Sequence, residues 1–182
     1  MCIRDRAKPV RGHGNVTGAD NVVSWSTGFP FGINFSKGYP IFNPGEFTTT
    51  DVLSRGEADA ALIIARDPAS NYSKPAIEHL HKIPVITLDP KPSHTSKLAR
   101  VAFTTATYGI NVEGTVYRMD DVPIRTRPAF ASPYKSDQEI LSAIKDRIKE
   151  TVVQNGQIKK KKEGSHAANG GQRGLYSGRR ST

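Results

Sequence analysis

Cysteine is almost absent from this chain, since Cys2 is the single one among 182 residues. One cysteine can form neither an intrachain disulfide nor a four-cysteine metal cluster. No apolar run approaches the ~18 residues of a membrane-spanning helix. No charged segment followed by an apolar one marks a secretory signal at the N-terminus. The sequence therefore predicts a cytoplasmic protein without a membrane span.

Motifs that would identify a catalytic centre are also missing. There is no cysteine and histidine cluster with metal-ligand spacing, no phosphate-binding P-loop and no serine nucleophile motif. Gly12, Gly14 and Gly18 are close together, but their spacing is not the dinucleotide-binding fingerprint and no clear strand precedes them. His79 and His81 lie two residues apart on a predicted helix and so point in different directions. Local motifs alone assign no reaction.

Positive charge is abundant but unevenly placed. The net charge is +9, yet residues 151–182 carry seven Lys or Arg residues against one Glu. This stretch is rich in Gly, Ser and Lys and lacks hydrophobic periodicity, so we predict a disordered basic tail over residues 151–182. Such a tail could bind phosphate backbones without sequence preference. Tyr176 is its one aromatic residue, which favours an inert tail, and nucleic acid is not an expected partner.

Two short apolar runs predict the centre of the fold. Ala60–Ala65 and Val85–Leu88 are rich in aliphatic residues, which is typical of strands buried on both faces. A helical pattern with Ile77 and Leu80 on one side joins them, and this order predicts a βαβ unit with parallel strands. Val101–Thr104 is a third strand candidate.

Polar turn residues follow the first two predicted strands. Arg66-Asp67-Pro68 follows the first strand, and Asp89-Pro90-Lys91 follows the second. Ligands of parallel α/β sheets bind beyond the carboxyl ends of the strands. We therefore predict a ligand crevice between residues 66–68 and 89–95. Asp-Pro pairs are also common turn formers, so a purely structural role stays open.

Flanking elements complete a predicted α/β fold. Thr49–Arg55 reads as a short helix, and Glu113–Arg125 as a β-hairpin with its turn at residues 119–121. Asn21–Phe47 is rich in proline and aromatic residues and is predicted to be an ordered loop region. Ser136–Glu150 carries an apolar stripe and is the strongest helix signal. The fold class is thus a Rossmann-like βαβ domain with a parallel sheet, a β-hairpin, a C-terminal helix and the tail.

Three sequence patterns resemble one enzyme family when they are taken in chain order. They are GNVTGAD from Gly14, GYP followed by NPGE from Gly38, and EGTVYRMD followed by VPIR from Glu113. Together they resemble the C-terminal part of the B subunit of formylmethanofuran dehydrogenase, in the molybdopterin oxidoreductase superfamily. The resemblance runs from Pro9 to Ile148. Residues 7–150 would then be a cofactor-binding α/β region, and residues 1–6, MCIRDR, a leader foreign to the protein.

The resemblance implies a specific chemistry. Subunits of this family hold tungsten or molybdenum on molybdopterin guanine dinucleotide next to a [4Fe-4S] cluster. They reduce CO2 reversibly to formate for formylmethanofuran synthesis in methanogenesis. The implied partners are the amidohydrolase-like A subunit, the C and D subunits and ferredoxin-like electron-transfer subunits.

The resemblance also implies positions for the site residues. Cofactor-binding residues would lie in three loops, namely Arg66, Asp67 and Pro68, then Asp89, Ser93 and Thr95, and then Glu113, Gly114 and Thr115. Near the metal the family places an arginine, which Arg11 would match, and His13 would lie behind it. A guanidinium there could bind CO2 or formate as a bidentate anion. Arg11 and His13 are thus the catalytic candidates.

The family's cluster cysteines and its metal-binding cysteine or selenocysteine lie N-terminal to the matching segment and have no counterpart in this chain. We therefore expect a C-terminal fragment that is inactive alone. One alternative is the non-redox structural B subunit of a formyltransferase/hydrolase complex. A second alternative is an α/β protein that binds nucleic acid through its basic tail.

Overall fold

The computed structural model describes residues 16–118 and 122–169. Contacts divide the chain into two units, with the boundary between Asp137 and Gln138. The mixture of helices with a parallel sheet, a hairpin and a C-terminal helix confirms the predicted α/β class. The elements in chain order are α1 (Val16–Thr27), β1 (Ile33–Asn34), β2 (Ile41–Phe42), α2 (Thr49–Ser54), β3 (Ala61–Ile64), α3 (Pro68–Asn71), α4 (Lys74–Leu80), β4 (Val85–Asp89), α5 (His94–Leu98), β5 (Val101–Thr104), β6 (Gly114–Tyr117), β7 (Pro123–Thr126) and α6 (Asp137–Asn169).

A three-stranded parallel sheet with the order β3-β4-β5 forms the centre of the first unit. Its register pairs Leu62 with Ile86 and Ile86 with Val101. Helices α3 and α4 connect β3 to β4, and α5 connects β4 to β5. The three predicted strands are confirmed to within one residue at each end, because their aliphatic runs are bounded by turn-forming residues.

Helices α2 and α4 cover one face of this sheet. Leu53 of α2, Ala76 and Leu80 of α4, and Ile63 and Val85 of the sheet form a buried cluster. The predicted short helix at Thr49 is confirmed, and Gly56 follows it with a φ of 72°, a left-handed conformation that glycine adopts at low cost. Packing of this cluster fixes the position of the two strands whose ends carry the predicted crevice.

The opposite face of the sheet is partly open. Leu62 and Ile64 of β3 and Val101 and Phe103 of β5 lie in register with Ile86 and Leu88 on this face, and the four outer side chains are 36–50% exposed. Parallel sheets are usually covered on both faces. Within the described residues, the sheet is therefore less covered than a parallel sheet usually is.

Residues 16–27 form a helix that differs from the sequence prediction. The sequence predicts an ordered loop region from Asn21 onward and no helix before it, because Gly18, Thr17 and the valines have low helix propensity. The hydroxyls of Ser24 and Thr27 donate to carbonyls four residues earlier in the chain. Helix α1 contacts β6, and Trp25 makes an edge contact with Tyr117. Tertiary packing thus outweighs a weak local preference.

The hairpin prediction is confirmed by the antiparallel pair β6 and β7, in which Thr115 lies opposite Arg125. Its predicted turn at residues 119–121 lies outside the described residues.

The loop region after helix α1, residues 28–47, contains aromatic ring contacts. Phe29 stacks on Phe42, and Phe31 makes an edge contact with the ring of Phe42. These three rings therefore pack on one another, whereas Phe35 and Tyr39 of the same region, like Trp25 of α1, are more than half exposed.

The C-terminal helix is longer than predicted. Helix α6 runs from Asp137 to Asn169, so its predicted end at Glu150 is wrong. An established helix adds residues at little cost, and Gln157–Glu163 consists mostly of good helix formers, although Gly156 and Gly164 flank it. Within the predicted apolar stripe, Ile140 is buried but Ile148 is 57% exposed. The part of the predicted tail beyond Asn169 lies outside the described residues.

Candidate functional site: a cationic cleft at the strand ends

A cleft of about 510 Å³ lies at the carboxyl ends of β3 and β4. This is the edge of the sheet where the sequence predicts a crevice. Cationic, acidic and aromatic side chains share the cleft with backbone turns. Its lining residues are Ala65, Arg66, Asp67, Asp89, Pro90, Lys91, Pro92, Ser93, His94, Lys97 and Tyr108.

Ala65 turns the chain from β3 into the cleft. Its φ is 51°, and it is the one non-glycine residue with a positive φ among the described residues. Its amide still donates to the carbonyl of Leu88 on the neighbouring strand, at 2.8 Å. A left-handed alanine costs roughly 1–2 kcal/mol relative to its preferred conformations. The strained turn therefore lies directly at the wall of the cleft.

Replacing Ala65 by glycine is expected to stabilise the protein by about 0.5–1 kcal/mol, because relief of the left-handed strain exceeds the extra chain entropy of glycine. Urea unfolding measures this change. Ala69→Gly is the matched control, since Ala69 lies in α3, where glycine should cost about 0.5–1 kcal/mol. Equal destabilisation by the two substitutions would contradict the assignment of strain to Ala65.

Asp67 lines the cleft, and its carboxylate accepts four hydrogen bonds. Its Oδ1 accepts hydrogen bonds from the Thr95 amide at 2.8 Å and from the Thr95 hydroxyl at 2.6 Å. Its Oδ2 accepts from the Ser70 hydroxyl at 2.6 Å and from the His94 amide at 3.2 Å. These bonds join the loop after β3 to the start of α5. The carboxylate therefore fixes the two walls of the cleft relative to each other.

The same bonds explain the acidity of Asp67. Partial burial acts to raise the pKa of this carboxyl group, but the hydrogen bonds from Ser70, Thr95 and the amide of His94 outweigh burial and hold the pKa well below its usual range. Asp67 is thus a carboxylate at neutral pH. Because its oxygens already accept hydrogen bonds within the protein, they offer little acceptor capacity to a ligand.

Two predicted ligand contacts are buried beside the cleft and are absent from its lining. Thr95 is fully buried, and its hydroxyl donates to Asp67 and accepts from the amide of Ala69 at 3.0 Å. Pro68 is buried at the start of α3. The expectation that the Thr95 hydroxyl meets a phosphate does not fit this geometry, because both of its hydrogen-bonding roles are taken. Thr95 instead holds Asp67 in place.

The second loop supplies a freer carboxylate. Asp89 ends β4 and lines the cleft, and its Oδ1 accepts from the amide of Lys91 at 3.2 Å. Ser93 caps α5 by accepting from the amide of Ser96, while the Ser96 hydroxyl accepts from the amide of Ser93. Asp89 therefore keeps acceptor capacity for a ligand, whereas the hydroxyl of Ser93 already has a structural role.

Three basic side chains give the cleft its charge. Arg66, Lys91 and Lys97 all line it, and the guanidinium of Arg66 lies 5.9 Å from the ring centroid of Tyr72. Asp67 and Asp89 oppose them, so the formal charge of the lining is +1. The oxygens of Asp67 are already engaged by hydroxyl and amide donors, which leaves the three basic groups as the freer partners for an anionic ligand.

Residues that were not among the predicted ligand contacts complete the lining, although His94 lies within the predicted crevice range 89–95. Lys97, His94 and Tyr108 reach the cleft from α5 and from the segment after β5. Burial raises the pKa of Tyr108, and the carboxylates of Asp89 and Asp137 raise it further. Lys97 follows the predicted contact Ser93 by four residues, one turn further along α5, so helix periodicity could have indicated it. Tyr108 carried no such signal, because its position depends on tertiary folding.

The third predicted loop is not brought to the cleft. Glu113, Gly114 and Thr115 lie at the start of β6 or just before it, are exposed, and are absent from the cleft lining. Oε2 of Glu113 lies 3.8 Å from Nη2 of Arg125 on the paired strand β7. Arg11 and His13, the catalytic candidates, lie outside the described residues. The described part of the cleft thus contains Arg66, Asp67, Asp89 and Ser93 of the predicted set.

Over residues 16–118 and 122–169, no group of three or more His, Cys, Asp or Glu side chains is arranged to hold a metal ion. In the same part of the chain, no helix has the length and apolar character needed to cross a membrane.

The fold and the cleft define an α/β domain with a cleft at the carboxyl ends of parallel strands, which is where ligands of such sheets bind. Comparison with curated proteins finds two relatives. The chain is 46% identical over 146 residues to the B subunit of tungsten-containing formylmethanofuran dehydrogenase 2 from Methanocaldococcus jannaschii, and 40% identical over 144 residues to the B subunit of the same name from Methanococcus maripaludis. Over this stretch the chain is homologous to the B subunits of tungsten-containing formylmethanofuran dehydrogenases, which confirms the resemblance found in the sequence.

These matches cover 79% and 78% of this chain but only 34% and 33% of the two relatives, so the chain spans about one third of their length. Among solved structures, it is similar to a chain of the formyltransferase/hydrolase complex from Methylorubrum extorquens in complex with methylofuran. That match has a TM-score of 0.61 at 22% identity and covers 76% of this chain and 38% of the other. At this identity it supports the fold alone. No protein-family profile matches the chain.

Proposed function

We propose that this chain supplies part of the cofactor-binding region of a formylmethanofuran dehydrogenase B subunit. The reaction of the whole protein would be the reversible reduction of CO2 to formate for formylmethanofuran synthesis. The cleft at the ends of β3 and β4 carries this proposal, because its basic lining suits the phosphates of a dinucleotide. The relatives named above support the choice of reaction.

The lining of the cleft would suit the guanine and phosphate end of a molybdopterin guanine dinucleotide that carries tungsten or molybdenum. Arg66, Lys91 and Lys97 would hold its phosphate groups, since ammonium and guanidinium groups are strong donors to phosphate oxygens. Asp89 would accept hydrogen bonds from the N–H groups of guanine. When bound, the metal and pterin group would supply the electron transfer, while these residues bind and orient it.

The remaining parts of the site are further proposals. Arg11 would bind CO2 or formate near the metal, and His13 would lie behind it. Glu113, Gly114 and Thr115 would contact the cofactor only if the hairpin lies closer to it in the assembled protein. The family alone suggests the [4Fe-4S] cluster and a cytoplasmic location. It also suggests the partners, which are the amidohydrolase-like A subunit, the C and D subunits and ferredoxin-like electron-transfer subunits.

Binding of a guanosine diphosphate ester tests the proposal on the chain itself. GDP-mannose is a suitable probe, because it carries the diphosphate diester and guanine that a pterin guanine dinucleotide also carries. We expect the chain to bind GDP-mannose, with NMR shift changes confined to residues of the cleft. Guanosine, which lacks phosphate, should bind more weakly. Absence of GDP-mannose binding, or shift changes elsewhere on the chain, would overturn the proposal.

A second candidate is the non-redox B subunit of a formyltransferase/hydrolase complex, since a chain of such a complex from Methylorubrum extorquens has a similar fold. The two candidates differ in whether the cleft needs a dinucleotide. A folded chain that does not bind GDP-mannose supports the non-redox candidate. Binding at the cleft supports the dehydrogenase.

A further inference from the structure

His94 lies within the predicted crevice range 89–95, but neither the sequence motifs nor the family resemblance gives it a role. It begins helix α5 and lines the cleft, and its side chain is 74% exposed. Its Nδ1 lies 2.9 Å from the hydroxyl oxygen of Ser70 and 3.3 Å from Oδ2 of Asp67. One nitrogen of the imidazole is therefore engaged by the wall of the cleft.

The neighbours of Nδ1 determine where the imidazole proton lies. Oδ2 of Asp67 can only accept, because the carboxyl group is ionised at neutral pH. The Ser70 hydroxyl donates its hydrogen to that same oxygen at 2.6 Å, so its own oxygen faces Nδ1 as an acceptor. Both neighbours of Nδ1 thus require a donor. The proton of the neutral ring must be on Nδ1, since a bare Nδ1 would face two acceptors.

This tautomer leaves Nε2 available. No hydrogen-bond partner of Nε2 occurs within the described ranges 16–118 and 122–169. A neutral His94 presents a lone pair there, and a protonated His94 presents an N–H donor with a positive charge. Because His94 shares the cleft with three basic side chains, a ligand that suits the basic lining also suits the protonated ring.

We propose that His94 contacts the diphosphate of the bound ligand through Nε2 and that Asp67 and Ser70 orient the ring for this contact. The inference rests on the proposed function, since it names a further contact for the same ligand. Protonation of His94 then strengthens binding, so the diphosphate binds more tightly at pH 6 than at pH 8. Asp67 and Ser70 are positioning residues, because they act on the ligand through the ring of His94.

The other titratable groups around His94 do not give this pH dependence. Carboxylates, lysine, arginine and tyrosine ordinarily titrate outside pH 6–8. The hydrogen bonds of Asp67 hold its pKa lower still, and burial with nearby carboxylates raises the pKa of Tyr108. A change of affinity between pH 6 and pH 8 therefore reports on the imidazole. The charged or titratable groups facing it are Arg66, Asp67, Asp89, Lys91, Lys97 and Tyr108.

The test uses the full chain with GDP-mannose, whose diphosphate diester keeps its charge between pH 6 and pH 8. The wild-type chain should bind it roughly three- to tenfold more tightly at pH 6 than at pH 8. His94→Asn should remove this difference, because the asparagine amide can replace the Nδ1–H donor toward Asp67 and Ser70 but has no equivalent of Nε2. Guanosine binding should be unchanged. His81→Asn is the control, since His81 is exposed and outside the cleft lining.

Imidazole 15N NMR of the free chain tests the orientation independently of ligand. The Nδ1 of neutral His94 should have the chemical shift of a protonated nitrogen, and Nε2 that of a bare one. The opposite tautomer overturns the inference. The inference is also overturned if the His94→Asn variant binds GDP-mannose with the same pH dependence as the wild type. That result leaves the proposed function intact. A wild-type chain that does not bind GDP-mannose overturns both.

Discussion

Substitution of Asp67 by asparagine is expected to lower the free energy of unfolding by about 3 kcal/mol. The carboxylate accepts four hydrogen bonds shorter than 3.3 Å, from Ser70, His94 and Thr95. An asparagine keeps one acceptor oxygen but turns an amide N–H₂ group toward donors on its other side. Hydrogen bonds to a charged acceptor contribute roughly 1.5–3 kcal/mol each, and about two are lost. Urea unfolding monitored by circular dichroism measures the change.

Asp59→Asn is the matched control for this substitution. Asp59 is an exposed carboxylate two residues before β3, so its replacement should change stability by no more than about 0.5 kcal/mol. The double substitution with Thr95→Val should cost less than the sum of the two single changes, because both remove the same bonds. Additive costs would contradict a shared network at the cleft wall.

The pH dependence of stability follows from the acidity of Asp67. Its pKa in the folded chain lies below that of an unfolded aspartate, near 3.9. The stabilisation is therefore fully present above about pH 4 and is lost as the pH falls below that value. The difference in stability between wild type and Asp67→Asn should shrink as the pH is lowered from 5 toward 3. A difference that stays constant over this range would show that Asp67 acts through something other than its charge.

Much of the fold could be predicted from the sequence because local and global signals agree at its centre. The strands at Ala61 and Val85 are short aliphatic runs that end in polar turns, and their order fixes the edge at which a ligand can bind. Helix α1 was missed for the opposite reason, since Gly18 and its β-branched neighbours disfavour a helix that tertiary contacts then stabilise. The sequence predicts the end of helix α6 at Glu150, because the composition changes there, but the helix continues to Asn169.

The candidate site was predictable in position but not in the roles of its residues. A strand end that reads Arg-Asp-Pro indicates a crevice, yet it does not say which oxygen faces the ligand. Asp67 and Thr95 lie 28 residues apart in sequence and bind each other, and only the folded chain shows this pairing. His94 and Tyr108 reach the cleft through the same long-range folding. Side-chain partners of this kind leave no local signal.

Removing the two lysines of the cleft is expected to weaken GDP-mannose binding by about 25-fold. Lys91 and Lys97 both line the cleft, and each contributes a charge attraction of about 1 kcal/mol to a bound diphosphate at a partly exposed site. Each Lys→Gln substitution should therefore weaken binding about fivefold. Titrations at low and high salt should show a smaller salt dependence in the double variant, because fewer charges remain to be screened.

Lys82→Gln separates the cleft from the overall charge of the chain. Lys82 is exposed in the turn after α4 and does not line the cleft, so its replacement removes the same charge without removing a contact. It should leave GDP-mannose affinity unchanged within about twofold at physiological salt, where distant surface charges are largely screened. Guanosine should bind the wild-type chain and all of these lysine variants alike. If Lys82→Gln weakens binding as much as Lys91→Gln does, general attraction to a basic chain explains the binding. The cleft is then not the binding site of the diphosphate.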